Sequence, residues 1–533
     1  MPPAHRWWPP CRWILFDAEF KSKVPIAPVK YAQAAIICIA LLAAANALPQ
    51  TEPVRAGGSS LPNLGDGSDM TPSAERRLGD RIARELYRDP DYIDDPVVME
   101  YVQAIWRPLL ASARARGELP PELDGAYAWE ILLGKDRTVN AFALPGAYLG
   151  LHLGLVSVVS SRDELASVLA HELSHVTQRH IARMMTRQSE QAPWLLGAMI
   201  LGALAASKSP GAANAAIIGG QAVAAQGQLN FSRDMEREAD RVGYGVMTQA
   251  GYAPQAFVSM FEKLQQASRL NDSGNFPYLR SHPLTTERMA DMQARIPDGA
   301  ASSAGALSME HAMVASRARV LSNGNVDALR TWAKETEPTR LSRLVPAAQA
   351  GALYGAALAA SKLRDFAVAQ TLWTRLTALT SSDAAASRLA RLLGAELALV
   401  QGAPASALGL LQNERDVGRA AVFLRAQAAV LAGKASQTTQ SLQTWLADHP
   451  RDAQGWQLLA MAYAAQGKTL GAIRAEAEVN VAQLDYEAAL TRLKVAQDLA
   501  RKGAAAGDHI EASIVDTRAR QVGLLLREQA VER

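Results

Sequence analysis

The sequence predicts an α+β protein: a mainly helical domain with a small sheet, followed by an all-α solenoid of helical repeats. Apolar residues at helical spacing surround the pentapeptide His171–His175, short β-like segments precede it, and a helical pattern recurs after residue 300. A chain of 533 residues is too long for one ordinary hydrophobic core. We therefore expect a first domain at 74–300 and a repeat domain at 301–533.

The N-terminal residues 1–47 have the pattern of a secretory signal peptide. Three lysines precede an apolar run at 32–45, and Ala45-Asn46-Ala47 fits a small-x-small cleavage site. The run is shorter than the roughly 20 residues that a membrane-spanning helix needs. We therefore expect export with cleavage of the leader, and the alternatives are an uncleaved anchor or a true start site further downstream.

Charge and cysteine content narrow the class of protein. Five of the 55 Lys and Arg residues and two of the 52 Asp and Glu residues lie in the leader, which leaves 50 of each sign. A balanced charge gives no general attraction to nucleic acid, so no nucleic-acid partner is expected. Both cysteines, Cys11 and Cys38, lie in the leader, so the exported chain would depend on packing and a metal, without disulfides.

Several segments precede the pentapeptide. Residues 48–73 are rich in Pro, Gly and Ser and are predicted to form an extended lead-in. Residues 74–116 are predicted to be helical, and Trp129–Leu133 and Val139–Val156 are predicted to contain the strands. The helix of residues 164–185, which carries the pentapeptide, follows.

The pentapeptide is an HExxH motif. His171 and His175 are four residues apart and therefore share one face of a helix, so both imidazoles could reach one Zn²⁺. Glu172, next to the first histidine, is expected to act as a general base on a water molecule. The alternative is a chance match in a charged helix, but the motif lies in an apolar run, where buried polar groups need a reason. The pattern therefore predicts a zinc hydrolase.

The third zinc ligand has to come from elsewhere. Arg179 and Ile181 stand where a metzincin would have its glycine and third histidine, which excludes that class. In a later helix Glu236 and Asp240 share a face, so one could bind zinc while the other orients a ligand. Glu238 points away, and its replacement is not expected to weaken zinc binding. The alternative is a solvated charged helix face.

Residues 193–226 form an unusual apolar stretch. Trp194–Ala206 and the Ala- and Gly-rich segment 212–225 are separated by a Lys-Ser-Pro-Gly break, and neither is long enough to cross a bilayer as a straight helix. We expect either a helical hairpin packed over the active site or a hairpin that makes peripheral contact with a membrane or plugs a barrel-shaped assembly.

The repeat pattern after residue 300 resembles the tetratricopeptide template. Trp456, Leu459, Ala460 and Tyr463 take its characteristic positions, and Ala426 lies one repeat of 34 residues before Ala460. A recurring phase predicts a helical solenoid, whose curved surface usually binds protein. The alternative is a generic helical bundle.

Taken together, the motifs resemble a known superfamily. HELSH followed by EREAD is similar to the HExxH…ExxxD signature of the HtpX-, Oma- and CAAX-prenyl-protease-like gluzincins. Ala147 departs from the family pattern, because a second glycine is usual there. Four further segments are similar to motifs of the periplasmic, tetratricopeptide-bearing branch: residues 61–69, 140–156, 227–243 and 281–289.

The resemblance implies a zinc metalloendopeptidase with one Zn²⁺ per chain. It places the metal ligands at His171, His175 and Glu236, the catalytic base at Glu172, and at Asp240 the acid that supports the catalytic site from behind the ligands.

The resemblance also implies a location and partners. It implies a protease and chaperone in the periplasm of a Gram-negative bacterium, active in quality control of outer-membrane β-barrel proteins. The implied partners are unfolded or misassembled outer-membrane proteins, the barrel-assembly machinery and the lipopolysaccharide-transport barrel. The alternative is a non-proteolytic scaffold or chaperone with a structural or vestigial zinc site, but a structural site has no need of Glu172.

A substrate-binding strand is expected just before the zinc helix. It would lie at a sheet edge, where an extended substrate can add a strand through main-chain hydrogen bonds. The alternative is an ordinary buried strand. The predicted residues are Asn140, Ala141, Phe142, Ala143 and Leu144.

His282 is expected to regulate the zinc site. It precedes Pro283 in a turn-like segment, since a residue before proline avoids the helical region. As a fourth protein ligand it would exclude the catalytic water and close the site. The resemblance implies the same role, and the alternative is a surface-turn histidine.

Overall fold

Helices and one small sheet make up the part of the chain that the computed structural model describes. This confirms the mainly helical α+β class with a small sheet. The predicted signal peptide, most of the lead-in and the apolar stretch at 193–226 lie outside the described residues. The described residues are 70–187, 232–270, 277–297, 307–412, 416–504 and 508–531.

Three helices precede the sheet: α1 (Pro72–Arg88), α2 (Pro96–Ala115) and α3 (Pro121–Ala126). Each begins with proline, which has no backbone N–H to leave unsatisfied in the first turn. The carboxylate of Asp95 accepts a hydrogen bond from the N–H of Val98 (2.9 Å) and caps α2. The stretch predicted to be helical, 74–116, is therefore interrupted between α1 and α2.

The sheet has three strands in the order β1-β3-β2: β1 (Glu130–Gly134), β3 (Tyr148–His152) and β2 (Ala141–Leu144). Strand β3 pairs in parallel with β1 and antiparallel with β2, so β2 lies at an edge of this sheet. The predicted β-like segment that extended to Val156 ends at His152, and α4 (Leu153–Val158) follows.

The turn that joins β2 to β3 contains the departure from the family pattern. Gly146 and Ala147 both adopt a positive φ, 70° and 60° respectively. This left-handed region favours glycine because a side chain crowds the backbone there. Ala147 therefore keeps the turn geometry of a glycine.

The central helix is α5 (Arg162–Thr177), in which every residue from Glu164 to Thr177 is buried. Against it packs α7 (Arg233–Gln249). A Cβ atom at Gly243 would lie 3.0 Å from the carbonyl oxygen of Ala170, so glycine permits this close approach of the two helices. The remaining helices around the core are α6 (His180–Arg187), α8 (Gln255–Leu270), α9 (Tyr278–Ser281) and α10 (Thr286–Ala294).

The C-terminal part consists of helices that pack against their neighbours in sequence. Gly433 and Gly467 lie in turns between paired helices with φ values of 74° and 73°, and their separation equals the predicted repeat of 34 residues. This phase fits the tetratricopeptide interpretation. The helices are α11 (Met309–Ser322), α12 (Val326–Lys334), α13 (Pro338–Leu341), α14 (Pro346–Lys362), α15 (Phe366–Leu379), α16 (Ala384–Val400), α17 (Pro404–Leu410), α18 (Arg419–Leu431), α19 (Ala435–Asp448), α20 (Ala453–Ala465), α21 (Thr469–Ala482), α22 (Tyr486–Leu499) and α23 (His509–Val531).

Buried polar contacts join the two parts of the chain. Arg317 on α11 donates to both carboxylate oxygens of Asp95 (2.8 and 2.7 Å), and His311 Nδ1 lies 2.7 Å from the hydroxyl of Tyr101. One hydrophobic core contains residues from both sides of residue 300, so the domain boundary there stays a prediction. None of the described helices combines the length and apolar character needed to cross a membrane.

Candidate metal centre

Four buried side chains bring their donor atoms together beneath α5. Nε2 of His171 lies 3.0 Å from Nε2 of His175 and 3.3 Å from Nδ1 of His282. Oε1 of Glu236 lies 3.0 Å from Nδ1 of His282 and 3.5 Å from Nε2 of His175. All four residues are at most 2% exposed, and one donor atom from each falls within 4.8 Å of the others.

These spacings fit one zinc ion. In a tetrahedral site with ligands at about 2.0–2.1 Å, neighbouring donor atoms are roughly 3.3 Å apart. Four of the six separations between these donors are 3.0 to 3.5 Å and lie around this value. Imidazole nitrogen and carboxylate oxygen are also ligands that zinc commonly takes. The structure thus brings together the three sequence-predicted ligands and His282, which the sequence analysis predicted as a regulatory fourth ligand.

Two helices and a turn place these donors. The i,i+4 spacing on α5 puts His171 and His175 on one face, and the close approach of α7 brings Glu236 to them. His282 follows the short helix α9, and its ring stacks on Tyr278 with centroids 4.6 Å apart. Because His282 is 2% exposed, the alternative of a surface-turn histidine is wrong.

Asp240 lies behind the first histidine, as predicted from helical spacing. Its Oδ1 is 2.9 Å from Nδ1 of His171, on the far side of the ring from the donor cluster. Burial opposes the charged form of His171, but the nearby carboxylates of Asp240 and Glu236 raise its pKa to about 9. This position suits a carboxylate that orients a metal ligand.

Arg288 is a site residue that the sequence analysis did not assign. Its guanidinium donates to both carboxylate oxygens of Asp240 (2.6 and 2.7 Å), and Nη1 lies 2.7 Å from Oε2 of Glu236. Burial alone would raise the pKa of Asp240, but the hydrogen bonds from Arg288 and the proximity of His171 lower it. Two features of the sequence could have indicated Arg288. Two buried carboxylates need a nearby cation, and Arg288 lies in the segment 281–289 that is similar to a family motif.

Glu172 lies beside the donor cluster without being one of its four members. It is fully buried, and its Oε2 accepts a hydrogen bond from the backbone N–H of Ala143 (2.9 Å). Its Oε1 lies 3.5 Å from Nε2 of His282 and has no hydrogen-bond partner among the described residues. A carboxylate oxygen placed this way can accept a proton from a water molecule next to the metal donors.

Glu238 points away from the donor cluster, as the helical spacing predicts, and its side chain contacts His180 and Arg183 instead. Its Oε2 lies 3.1 Å from Nε2 of His180 and accepts a hydrogen bond from Nη1 of Arg183 (2.9 Å). Nδ1 of His180 lies 3.0 Å from Nδ1 of His175. No sequence pattern indicated a role for His180, although it lies only five residues after His175.

The predicted substrate strand corresponds to β2 and the residue before it. Asn140 accepts a hydrogen bond at its carbonyl from the N–H of His152 (3.1 Å), which fixes the strand against β3. Ala143 instead directs its N–H away from β3 to Glu172. Ala141 and Leu144 are buried, whereas Phe142 and Ala143 are partly exposed. The outer edge of β2 therefore faces Glu172, which lies beside the donor cluster.

Comparison with known proteins places this site in context. Residues 99–296 match the pattern of peptidase family M48. The chain is 30% identical over 463 residues to the beta-barrel assembly-enhancing protease of Escherichia coli K12, covering 83% of this chain and 88% of that protein. The protein of the same name from Yersinia pestis is 29% identical over 451 residues, covering 81% and 88%. The mitochondrial metalloendopeptidase OMA1 of Saccharomyces cerevisiae is 30% identical over 180 residues, covering 33% and 49%.

The predictions of an enzyme and of its cofactor are confirmed. The chain is a zinc-dependent metallopeptidase, and its buried donor group is able to hold one metal ion. The roles of the individual residues remain predictions.

Proposed function

Because this chain belongs to peptidase family M48, we propose that it is a periplasmic zinc metalloendopeptidase that acts on outer-membrane β-barrel proteins during their assembly. The observation that carries the proposal is the buried donor cluster with Glu172 beside it. The name of these relatives, beta-barrel assembly-enhancing protease, supports the choice of substrate class. The predicted signal peptide supports the periplasmic location.

In the proposed mechanism His171, His175 and Glu236 hold the zinc ion. When bound, zinc lowers the pKa of water and polarises the scissile carbonyl. Glu172 accepts the proton of the attacking water at Oε1 and delivers it to the leaving amine. Asp240 keeps the ring of His171 in the orientation that directs Nε2 to the metal.

We propose that an extended segment of substrate pairs with the outer edge of β2. Ala141 and Ala143 alternate with the residues that bond to β3, so their backbone groups are directed outward. A peptide paired there would cross the site next to Glu172.

The segment that contains α9 supports the proposal that the site is latent in this conformation. His282 takes a fourth position among the donors, and four protein ligands characterise closed zinc sites. The N–H of Tyr278 donates to the carbonyl oxygen of Val139 (3.3 Å), just before β2. One segment therefore both supplies the fourth donor and bonds to the backbone just before β2, and substrate binding would have to displace it.

The helical repeats are proposed to choose partners. A curved solenoid offers a large protein-binding surface, which suits unfolded outer-membrane proteins, the barrel-assembly machinery or the lipopolysaccharide-transport barrel. Chaperone activity and a peripheral membrane contact through residues 193–226 belong to the same proposal. The second candidate function, a non-proteolytic scaffold, is weaker because Glu172 is placed for catalysis beside the donors.

The experiment that tests the function compares the zinc-loaded protein with its Glu172→Gln variant. Each is mixed with an unfolded outer-membrane β-barrel protein and, as a control substrate, with an unfolded soluble periplasmic protein of similar length. We expect the unsubstituted protein to cleave the barrel protein preferentially, and the variant to bind it without cleavage. If neither the unsubstituted protein nor the Glu172→Gln variant cleaves, and both protect the β-barrel protein equally from aggregation, the result would favour the non-proteolytic scaffold. Equal cleavage of both substrates would contradict the proposed substrate class.

A further inference from the structure

We propose that His180 and Glu238 form a positioning relay for the zinc ligand His175. Nδ1 of His180 lies 3.0 Å from Nδ1 of His175, and Nε2 of His180 lies 3.1 Å from Oε2 of Glu238. The two metal-binding histidines would then each be oriented by a carboxylate. Asp240 acts on His171 directly, whereas Glu238 acts on His175 through a second histidine.

A sharp break in the backbone creates this arrangement. Helix α5 ends at Thr177 and α6 begins at His180, and Arg179 between them adopts a positive φ of 52°. The side chain of Arg179 contacts the carbonyl oxygen of Met70 and Oε2 of Glu75, which hold this left-handed residue in place. His180 is thereby turned back onto α5, where its ring lies 4.9 Å from that of His175 at an angle of 75°.

The chemistry of the three groups gives the relay one order. His175 directs Nε2 to the other donors, so in a neutral ring Nδ1 carries the hydrogen. Nδ1 of His180 then accepts that hydrogen bond, which leaves the hydrogen of His180 on Nε2. This N–H donates to Glu238, and a carboxylate is the acceptor that the order requires. Every hydrogen bond in the relay therefore favours an unprotonated Nε2 on His175, the form that binds a metal.

The relay differs from the Asp240 contact in where it ends. His180 is completely buried, but the side chain of Glu238 is 28% exposed and also binds Arg183 at 2.9 Å. A link that reaches the surface can be tested by a change that leaves the core intact. The proposal also reverses the expectation from helical spacing alone, by which Glu238 should not affect zinc binding.

The inference rests on the zinc site of the proposed function, and its test does not depend on hydrolysis. Zinc affinity is measured by competition with a chromophoric chelator for the full chain and for Glu238→Gln, which keeps the shape of the side chain. The matched control is Asp234→Asn, an acid on the same helix whose side chain is 92% exposed. Glutamine removes the negative charge that makes the carboxylate a strong acceptor, and mutation of such an outer partner of a metal ligand typically weakens binding about 10- to 100-fold. We expect a loss of this size for Glu238→Gln and none for the control.

Two further variants make the outcome decisive. His180→Gln removes the ring, and the unfolding of its metal-free form is measured separately so that a packing defect is not mistaken for a change in affinity. Asp240→Asn reports on the zinc site itself. If Asp240→Asn weakens zinc binding while folded Glu238→Gln and His180→Gln stay within twofold of the unsubstituted chain, the relay is wrong. If none of the four variants alters zinc affinity, the relay is again wrong and the assignment of the zinc site fails with it.

Discussion

Nδ1 of His282 lies 3.0 Å from Oε1 of Glu236, although 46 residues separate the two in the chain. Arg288 links the segments that carry these two residues. It binds Oε2 of Glu236 (2.7 Å) and donates to the carbonyl oxygen of Pro283, the residue after His282 (2.9 Å). The same side chain also binds Asp240. The turn that carries His282 is thus fastened to the helix that carries the third ligand.

Replacing His282 with alanine should raise basal proteolysis and leave zinc bound. The substitution vacates the fourth position and keeps His171, His175 and Glu236. If the ring occupies that position nine-tenths of the time, the rate should rise about tenfold. Hydrolysis of an unfolded protein and zinc content are measured together, with His449→Ala, a remote and partly buried histidine, as the control. Unchanged or reduced activity in a folded His282→Ala protein would rule out self-inhibition.

Replacing Glu172 with glutamine should abolish hydrolysis and leave zinc bound. The change removes the general base and keeps all four members of the donor cluster. Loss of a general base lowers the rate about 10²- to 10⁴-fold. Metal analysis of the purified variant should give the same zinc content as the unsubstituted chain. Loss of the metal would show that Glu172 has been given the wrong role.

Crosslinks to a trapped substrate should form along the edge of β2. Ala143 is partly exposed and its N–H points away from β3, so Ala143→Cys in the Glu172→Gln background should crosslink to a bound β-barrel protein. The control is Ala111→Cys, an exposed position on α2 and outside the helical repeats. Efficient crosslinking elsewhere in the cleft, with none from position 143, would favour an ordinary structural strand.

Replacing Arg288 with methionine should destabilise the metal-free protein. The arginine is 3% exposed, and without it the carboxylates of Glu236 and Asp240 would be left buried without their cation. Removing one partner of a buried ion pair costs about 3–5 kcal/mol. Arg295→Met is the control, because its pair with Asp291 is partly exposed and should contribute about 1 kcal/mol or less. Urea unfolding measures both.

The outcome for Arg288→Met can be checked by a second substitution. Adding Asp240→Asn to Arg288→Met removes one of the two buried carboxylates that have lost their cation. This should restore part of the lost free energy of unfolding. A fall of less than about 1 kcal/mol in the single variant would mean that the buried carboxylates do not depend on Arg288.

Local periodicity was enough to predict the main helices and which site residues share a helix face. The i,i+4 spacing of His171 and His175 within an apolar run requires a buried helix with both rings on one face. The same spacing puts Glu236 and Asp240 on one face of a second helix, where both are buried. The recurring phase of the C-terminal helices also follows from local pattern, because each repeat has the same apolar positions.

Tertiary structure decided the contacts between segments. No periodic pattern relates His180 to His175, because the left-handed backbone at Arg179 breaks the helix between them. Arg288 resembles any charged residue of a surface helix until α10 packs against α7 and buries it against Glu236 and Asp240. A helix or strand constrains only residues a few positions apart, whereas the ion pairs and hydrogen bonds that complete this site join residues brought together by packing.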